Sequence, residues 1–122
     1  MNIGVVGTKG EDMVARFLQK KGLRIIKRNY QCRFGEIDII AENDEHIIFV
    51  EVKTRKKNSI IPPEYAVDLK KQQRICLTAE DYLSKSNYGL SLQPRFDVAL
   101  VTVDEKAKNG SGYSLKYIEN AF

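Results

Sequence analysis

The chain of 122 residues is 43% hydrophobic and 30% charged, and its 20 Lys and Arg outnumber its 16 Asp and Glu to give a net charge of +4. This composition excludes a disordered or fibrous protein, and the length predicts one domain, residues 1–122, with one hydrophobic core. No apolar run exceeds four residues and no secretory signal follows Met1, so we expect a cytoplasmic protein that does not bind membranes. The basic excess favours a polyanionic partner.

Apolar periodicity and turn residues predict two helices and five strands. Thr8 and Glu11 have the spacing of a capping box at the start of the first helix, and Asp68 is a typical N-cap for the second. Asn43 and Asp44 indicate a tight hairpin turn between two strands. The predicted helices cover about 9–21 and 69–86, the strands 23–30, 36–42, 45–55, 96–103 and 113–118, and a loop and a turn cover 56–63 and 109–112. This order predicts an α/β fold, a central mixed β-sheet flanked by α-helices.

Charged residues share one face of the predicted hairpin. Strand alternation places Glu36 and Asp38 on the same side of one strand. It likewise places Glu51 and Lys53 on the same side of the next strand, about 7 Å apart. A loop centred just after Asp44 would set Asp38 opposite Glu51 and Glu36 opposite Lys53. A register shift of one residue would move Asp38 to the other face, so the convergence of these charges depends on the register.

Two adjacent carboxylates repel one another, and a hard divalent cation such as Mg²⁺ relieves that repulsion. Such a metal can polarise a phosphodiester and lower the pKa of bound water, while a nearby lysine positions that water. This constellation therefore predicts metal-assisted phosphodiester hydrolysis. The alternative is a salt network on a solvated sheet, which is what an isolated Glu-x-Lys ordinarily means. The basic run that begins at Lys53 favours the catalytic interpretation.

The order Glu11, Asp38, Glu51 and Lys53 resembles the restriction-endonuclease-like superfamily, which carries an Asp on one strand and Glu-x-Lys on the next, after a helix with another acid. The chain more closely resembles the bacterial YraN family of predicted endonucleases, which is similar to archaeal Holliday-junction resolvases. The segments that carry this resemblance are Gly10-Glu11, Arg28-Asn29-Tyr30, Gly35-Glu36-Ile37-Asp38, Phe49-Val50-Glu51-Val52-Lys53-Thr54-Arg55, Lys71-Gln72 and Arg95-Phe96-Asp97-Val98.

The resemblance implies a restriction-endonuclease-like fold and a Mg²⁺- or Mn²⁺-dependent endonuclease acting on DNA, including branched or single-stranded DNA. It implies that Asp38, Glu51 and the Val52 carbonyl bind the metal and that Lys53 assists the attacking water. Glu11 would be a supporting acid, although it would equally serve as the capping-box glutamate.

Polar residues around this centre are expected to support it or to bind nucleic acid. Glu36 would support the centre or pair with a neighbouring cation, and Gln72 would contact the metal-bound water. Asp97 forms a buried ion pair or takes part in catalysis, and both interpretations stay open. Phosphate contacts are expected from Arg55, Lys56, Lys57, Lys71 and Arg74.

Two rival functions remain open at the level of sequence. A nucleic-acid-binding module without catalysis would use the same fold and the same basic surface. A structural protein would use the charges as a salt network and would bind no metal saturably. A homodimer, whose two sites would cut paired strands, is compatible with the sequence but not predicted by it.

Overall fold

The computed structural model describes residues 3–57, 67–86, 91–104 and 112–122, with side chains from residue 9 onward. The described part contains α1 (Ile3–Lys20), β1 (Arg24–Cys32), β2 (Gly35–Glu42), β3 (His46–Lys56), α2 (Leu69–Ser84), β4 (Gln93–Val103) and β5 (Tyr113–Ile118). Most of the predicted loop over 56–63 and of the predicted turn over 109–112 lies outside the described residues.

The five strands form one sheet in the order β1-β2-β3-β4-β5. All neighbouring strands are antiparallel except β3 and β4, which are parallel. Parallel neighbours need a crossover connection, and α2 lies in that connection. The expected central mixed sheet flanked by helices is confirmed.

The two helices cover opposite faces of the sheet. On one face, Val14 and Leu18 of α1 pack in a buried cluster with Val50 of β3. On the other face, Ile75 and Ala79 of α2 pack with Phe49 and other strand residues. Strand β3 is therefore buried on both sides, which is why residues 47–50 read as a continuous apolar run rather than an alternating one.

The turn between β2 and β3 fixes the hairpin register. The side-chain oxygen of Asn43 accepts hydrogen bonds from the main-chain N–H groups of Glu45 at 2.9 Å and His46 at 2.7 Å, an arrangement that closes the turn locally. The resulting ladder runs from Glu42 opposite Ile47 to Ile39 opposite Val50. This is the predicted register.

Of the two predicted helix starts, the structure confirms that of α2 but not that of α1. Asp68 caps α2, because its carboxylate accepts the N–H of Lys71 at 2.8 Å. Helix α1, in contrast, begins at Ile3, so Thr8 and Glu11 lie inside it and the capping-box prediction is wrong. Gly4 and Gly7 lower helix propensity, but the helix continues through them. Among the described residues, no helix is both long and apolar enough to cross a membrane.

Candidate active site

Asp38 lies where β2 and β3 separate. Their ladder ends at Ile39 and Val50, and the N–H of Val52 donates instead to the Oδ2 atom of Asp38 at 2.7 Å. The carboxylate thus takes the place of a main-chain acceptor. This hydrogen bond fixes one carboxylate oxygen at the edge of β3.

A cleft of about 300 Å³ opens between the sheet and α2 beside Asp38. Glu36, Asp38 and Glu51 line the sheet side, while Lys71 and Arg74 line the helix side. Alternation from Phe49, which packs under α2, places Glu51 on this same face. The structure therefore brings together the two carboxylates that the sequence placed opposite each other.

Burial and the neighbouring Glu51 carboxylate raise the pKa of Asp38 to about 7, against the opposing effect of the Val52 N–H. The charges of Glu11 and Glu36 raise it further. Negative charge is thus crowded around one partly buried carboxyl group, and a cation bound there would relieve the repulsion.

Lys71 supplies positive charge to this cluster. Its Nζ atom lies 2.7 Å from Oε1 of Glu51, whose side chain is only 10% exposed. Burial lowers the pKa of Lys71, but the hydrogen bond to Glu51 and its charge outweigh that effect and raise the pKa. The sequence placed Lys71 among phosphate-binding residues and gave no sign of its ion pair with Glu51.

Glu11 lies on α1, on the other side of the sheet, and does not line the cleft. Its carboxylate is 3.5 Å from Arg28, whose guanidinium also donates to Asp12 at 2.7 Å. Glu11 acts on Asp38 only through its charge. The ion pair with Arg28, rather than a helix cap, is its structural role.

The other residues that were expected at the metal centre differ in whether they line the cleft. Lys53 is half-buried and shares the strand face of Glu51, but it does not line the cleft. Glu36 lines the cleft rim and accepts a long hydrogen bond from Gln31 at 3.4 Å. The Gln72 amide donates to the carbonyl of Val67 at 2.6 Å. This bond holds the Gln72 side chain near the start of α2, and its contact with metal-bound water stays a prediction.

The predicted phosphate-binding residues fall into two groups. Lys71 and Arg74 line the cleft. The other three, Arg55, Lys56 and Lys57, lie at the end of β3. Within that group Arg55 donates to Thr102 at 3.1 Å, and Lys57 pairs with Asp104 at 3.3 Å.

Asp97 forms a buried ion pair with Arg95, which is one of the two roles that the sequence left open for it. It is 1% exposed and accepts hydrogen bonds from Arg95, from the Tyr117 hydroxyl at 2.6 Å and from the Asn120 N–H at 3.1 Å. Burial and the adjacent carboxylate raise the pKa of Tyr117. This network ties β5 and the residues after it to β4.

The donor set of the cleft suits a hard cation, although no three His, Cys, Asp or Glu side chains group as a ready-made metal site in the part of the chain described. Asp38 and Glu51 supply carboxylates. Because the N–H and C=O of one strand residue point to the same neighbour, the Val52 carbonyl shares the edge of β3 on which Asp38 lies. Mg²⁺ keeps several waters and needs only one or two carboxylates, so these groups fit it.

Fold and site together define an α/β protein with a carboxylate-bearing cleft between its sheet and its second helix. The model of the "Uncharacterised protein family UPF0102" matches residues 10–101, and the chain belongs to this family. The resemblance to the YraN family that the motifs indicated is thereby confirmed.

Relatives align over most of their length. A UPF0102 protein of Caldanaerobacter subterraneus subsp. tengcongensis is 45% identical over 98 residues, 80% of each chain. One of Alkaliphilus oremlandii is 41% identical over 118 residues, 96% of this chain and 97% of the relative. Among solved structures, Pyrococcus furiosus SfsA in complex with Ca²⁺ is 15% identical with a TM-score of 0.41, and covers 92% of this chain. This chain spans only 63% of SfsA.

Proposed function

We propose that this protein is a metal-dependent endonuclease that hydrolyses phosphodiester bonds in DNA. The observation that carries the proposal is the juxtaposition of Asp38 and Glu51 in a cleft whose opposite wall presents Lys71 and Arg74. Carboxylates bind hard divalent cations, and ammonium and guanidinium groups bind phosphate oxygens. One cleft thus offers ligands for a metal and for the phosphate that it would act on.

In this proposal Asp38, Glu51 and the carbonyl of Val52 hold Mg²⁺ or Mn²⁺. When bound, the metal supplies Lewis acidity toward the phosphodiester and lowers the pKa of water. The N–H of Val52 orients the Asp38 carboxylate. Lys53, on the strand face of Glu51, positions the attacking water.

The remaining charged residues act on the substrate or on the acids. Lys71 and Arg74 stabilise charge on the phosphate from the α2 wall. Glu36 at the rim and Glu11 beyond the sheet keep the field around Asp38 negative and so favour a bound cation. Arg55, Lys56 and Lys57 extend the basic surface and contact the DNA backbone without regard to sequence.

A nucleic-acid-binding module without catalysis is the second candidate, and one observation favours it. Lys71 already neutralises Glu51 at 2.7 Å, so the cluster has a counter-charge without any metal. A protein that never binds metal would be expected to retain such an ion pair. The two candidates therefore differ first in metal binding and then in cleavage.

The test compares wild type with Asp38→Asn, Glu51→Gln and Lys53→Ala on single-stranded, duplex, flapped and four-way DNA, with Mg²⁺, Mn²⁺ or chelator. The matched control is Lys20→Ala, which removes an exposed lysine from the last turn of α1. We expect metal-dependent cleavage by wild type and the control, and its loss in the other three. Equal cutting by wild type and Glu51→Gln would indicate a contaminating nuclease. Binding without cutting would favour the noncatalytic module.

A further inference from the structure

A second cavity, of about 570 Å³, adjoins the cleft at the turn between β1 and β2. It shares Gly35, Glu36 and Arg74 with the cleft, so the two form one continuous depression. We call the second cavity the turn groove. A chain lying across the carboxylates would extend directly into it.

The turn that forms this groove holds Arg33 in a defined orientation. Cys32 pairs with Gly35, so Arg33 and Phe34 make a tight two-residue loop. The guanidinium carbon of Arg33 lies 4.7 Å from the centroid of the Phe34 ring. The aromatic ring therefore supports one face of a planar cation.

The groove is also fixed relative to α2. At Gly35, where φ is +154°, an added Cβ would meet the Thr78 hydroxyl at 3.3 Å and the Arg74 Cβ at 3.7 Å. The absence of a side chain at Gly35 thus lets the turn approach α2 closely. Arg33 and Arg74 consequently line the same groove from the turn and from α2.

The charges of the groove suit a nucleotide. Within the ranges that the structure describes, no carboxylate lies within ion-pair distance of Arg33 or Arg74, and both are exposed. Glu36, the acid in the lining, accepts from the Gln31 amide. A guanidinium binds phosphate through its N–H groups and also stacks against a base through its plane.

We infer that the turn groove binds the nucleotide next to the scissile phosphate, with Arg74 on the backbone phosphate and the Phe34-backed guanidinium of Arg33 stacked on the base. This inference rests on the proposed function of the adjoining cleft. A base inside a duplex is already stacked on both faces, so only an unpaired base can take this position. The protein therefore prefers DNA that has unpaired nucleotides beside the cut.

Measuring DNA binding in chelator, where no metal-dependent cleavage occurs, tests the turn groove separately from catalysis. Fluorescence anisotropy in chelator would compare a blunt duplex with a duplex of equal length that carries a single-stranded arm. Arg33→Ala should weaken binding of the armed DNA about tenfold, the size of one lost stacking contact, and that of the blunt DNA much less. Arg33→Lys should lose most of the preference, because an ammonium has the charge but no planar face.

Arg24→Ala is the matched control. Arg24 is an exposed arginine at the far end of β1, where it pairs with Glu42, and its removal changes the net charge equally. It should bind both DNAs as wild type does. Thermal melting of each variant shows whether the fold is retained, which we expect because Arg33 is an exposed turn residue.

The outcomes separate the groove from the catalytic proposal. Equal loss on armed and blunt DNA, or no loss in Arg33→Ala, would overturn the stacking site while leaving metal-dependent cleavage by wild type as its own result. An Arg33-dependent preference in a protein that cuts nothing with Mg²⁺ or Mn²⁺ would support the groove and refute the nuclease. Absence of any DNA binding by wild type would overturn both.

Discussion

The main-chain N–H of Val52 donates to the carboxylate of Asp38 at 2.7 Å, at the point where β2 and β3 stop pairing. Breaking the ladder removes a main-chain acceptor, and the carboxylate replaces it. Because the β2–β3 ladder ends at Val50, Glu51, the residue before Val52 on β3, is also not paired with β2. Asp38 therefore has two roles here: its carboxylate replaces a main-chain acceptor for β3, and it is one of the acids that line the cleft.

Asp38→Asn should stabilise the fold while abolishing cleavage. The pKa of Asp38 is raised to about 7 in the folded protein, above its ordinary value of 3.8. Ionising this carboxyl is thus harder in the folded state, so its contribution to stability falls as pH rises from about 4 to 7. The amide oxygen of Asn can still accept the Val52 N–H but carries no charge. Thermal melting should show a higher Tm for the variant, with a larger difference at pH 8 than at pH 5. A lower Tm at pH 8 would contradict this.

The hairpin that carries the acids could be predicted because local signals agree there. An apolar run at 47–50 marks a buried strand, and the Asn43 side chain closes the turn with bonds to its near neighbours. Both effects lie within a few residues: the apolar run identifies the strand, and the turn sets its register, because residues 47–50 are buried on both faces and would stay buried after a shift of one residue. The same-face placement of Asp38 and Glu51 follows from that register.

The helix side of the cleft could not be predicted in the same way. Amphipathic periodicity identifies which side of α2 is apolar, but not which strand residues its polar edge will meet. The contact between Lys71 and Glu51 depends on how α2 packs across the sheet, a tertiary effect. The hydrogen bond from the Gln72 amide to the Val67 carbonyl was likewise not predicted from the sequence.

Lys71→Ala should increase metal affinity and decrease DNA affinity. The ammonium of Lys71 occupies Glu51 at 2.7 Å, so it competes with any divalent cation for that carboxylate. Its removal also takes a positive charge from the phosphate side of the cleft. Calorimetric titration with Mn²⁺ should give a several-fold lower Kd for the variant, and anisotropy should give a higher Kd for DNA. Lys70→Ala, which removes the exposed lysine next in sequence, should change the Mn²⁺ affinity little. Unchanged Mn²⁺ binding in Lys71→Ala would show that Glu51 is not a metal ligand.

Asp97→Ala should destabilise the protein strongly without altering metal binding. Its loss leaves the Arg95 guanidinium, whose side chain is 13% exposed, without its main partner, a change that typically costs about 3–5 kcal/mol. Tyr117→Phe removes a single hydrogen bond to the same carboxylate and should cost about 1.5–3 kcal/mol. Urea denaturation would measure both, with Mn²⁺ titration of the folded proteins as the second readout. Loss of metal binding in a fully folded Tyr117→Phe would instead connect this network to the cleft.

Arg74→Ala should reduce the salt dependence of DNA binding more than Lys57→Ala does. Each phosphate contact contributes a slope of about 0.9 in log Kd against log salt concentration on duplex DNA, because a contact releases condensed counterions. Arg74 lines both cavities. Lys57, in contrast, already pairs with Asp104 at 3.3 Å, so part of its charge is compensated before DNA binds. Anisotropy titrations between low and moderate salt should therefore give a slope reduced by nearly one contact for Arg74→Ala and by less for Lys57→Ala. Equal slopes in both variants and wild type would mean that DNA binds elsewhere on the surface.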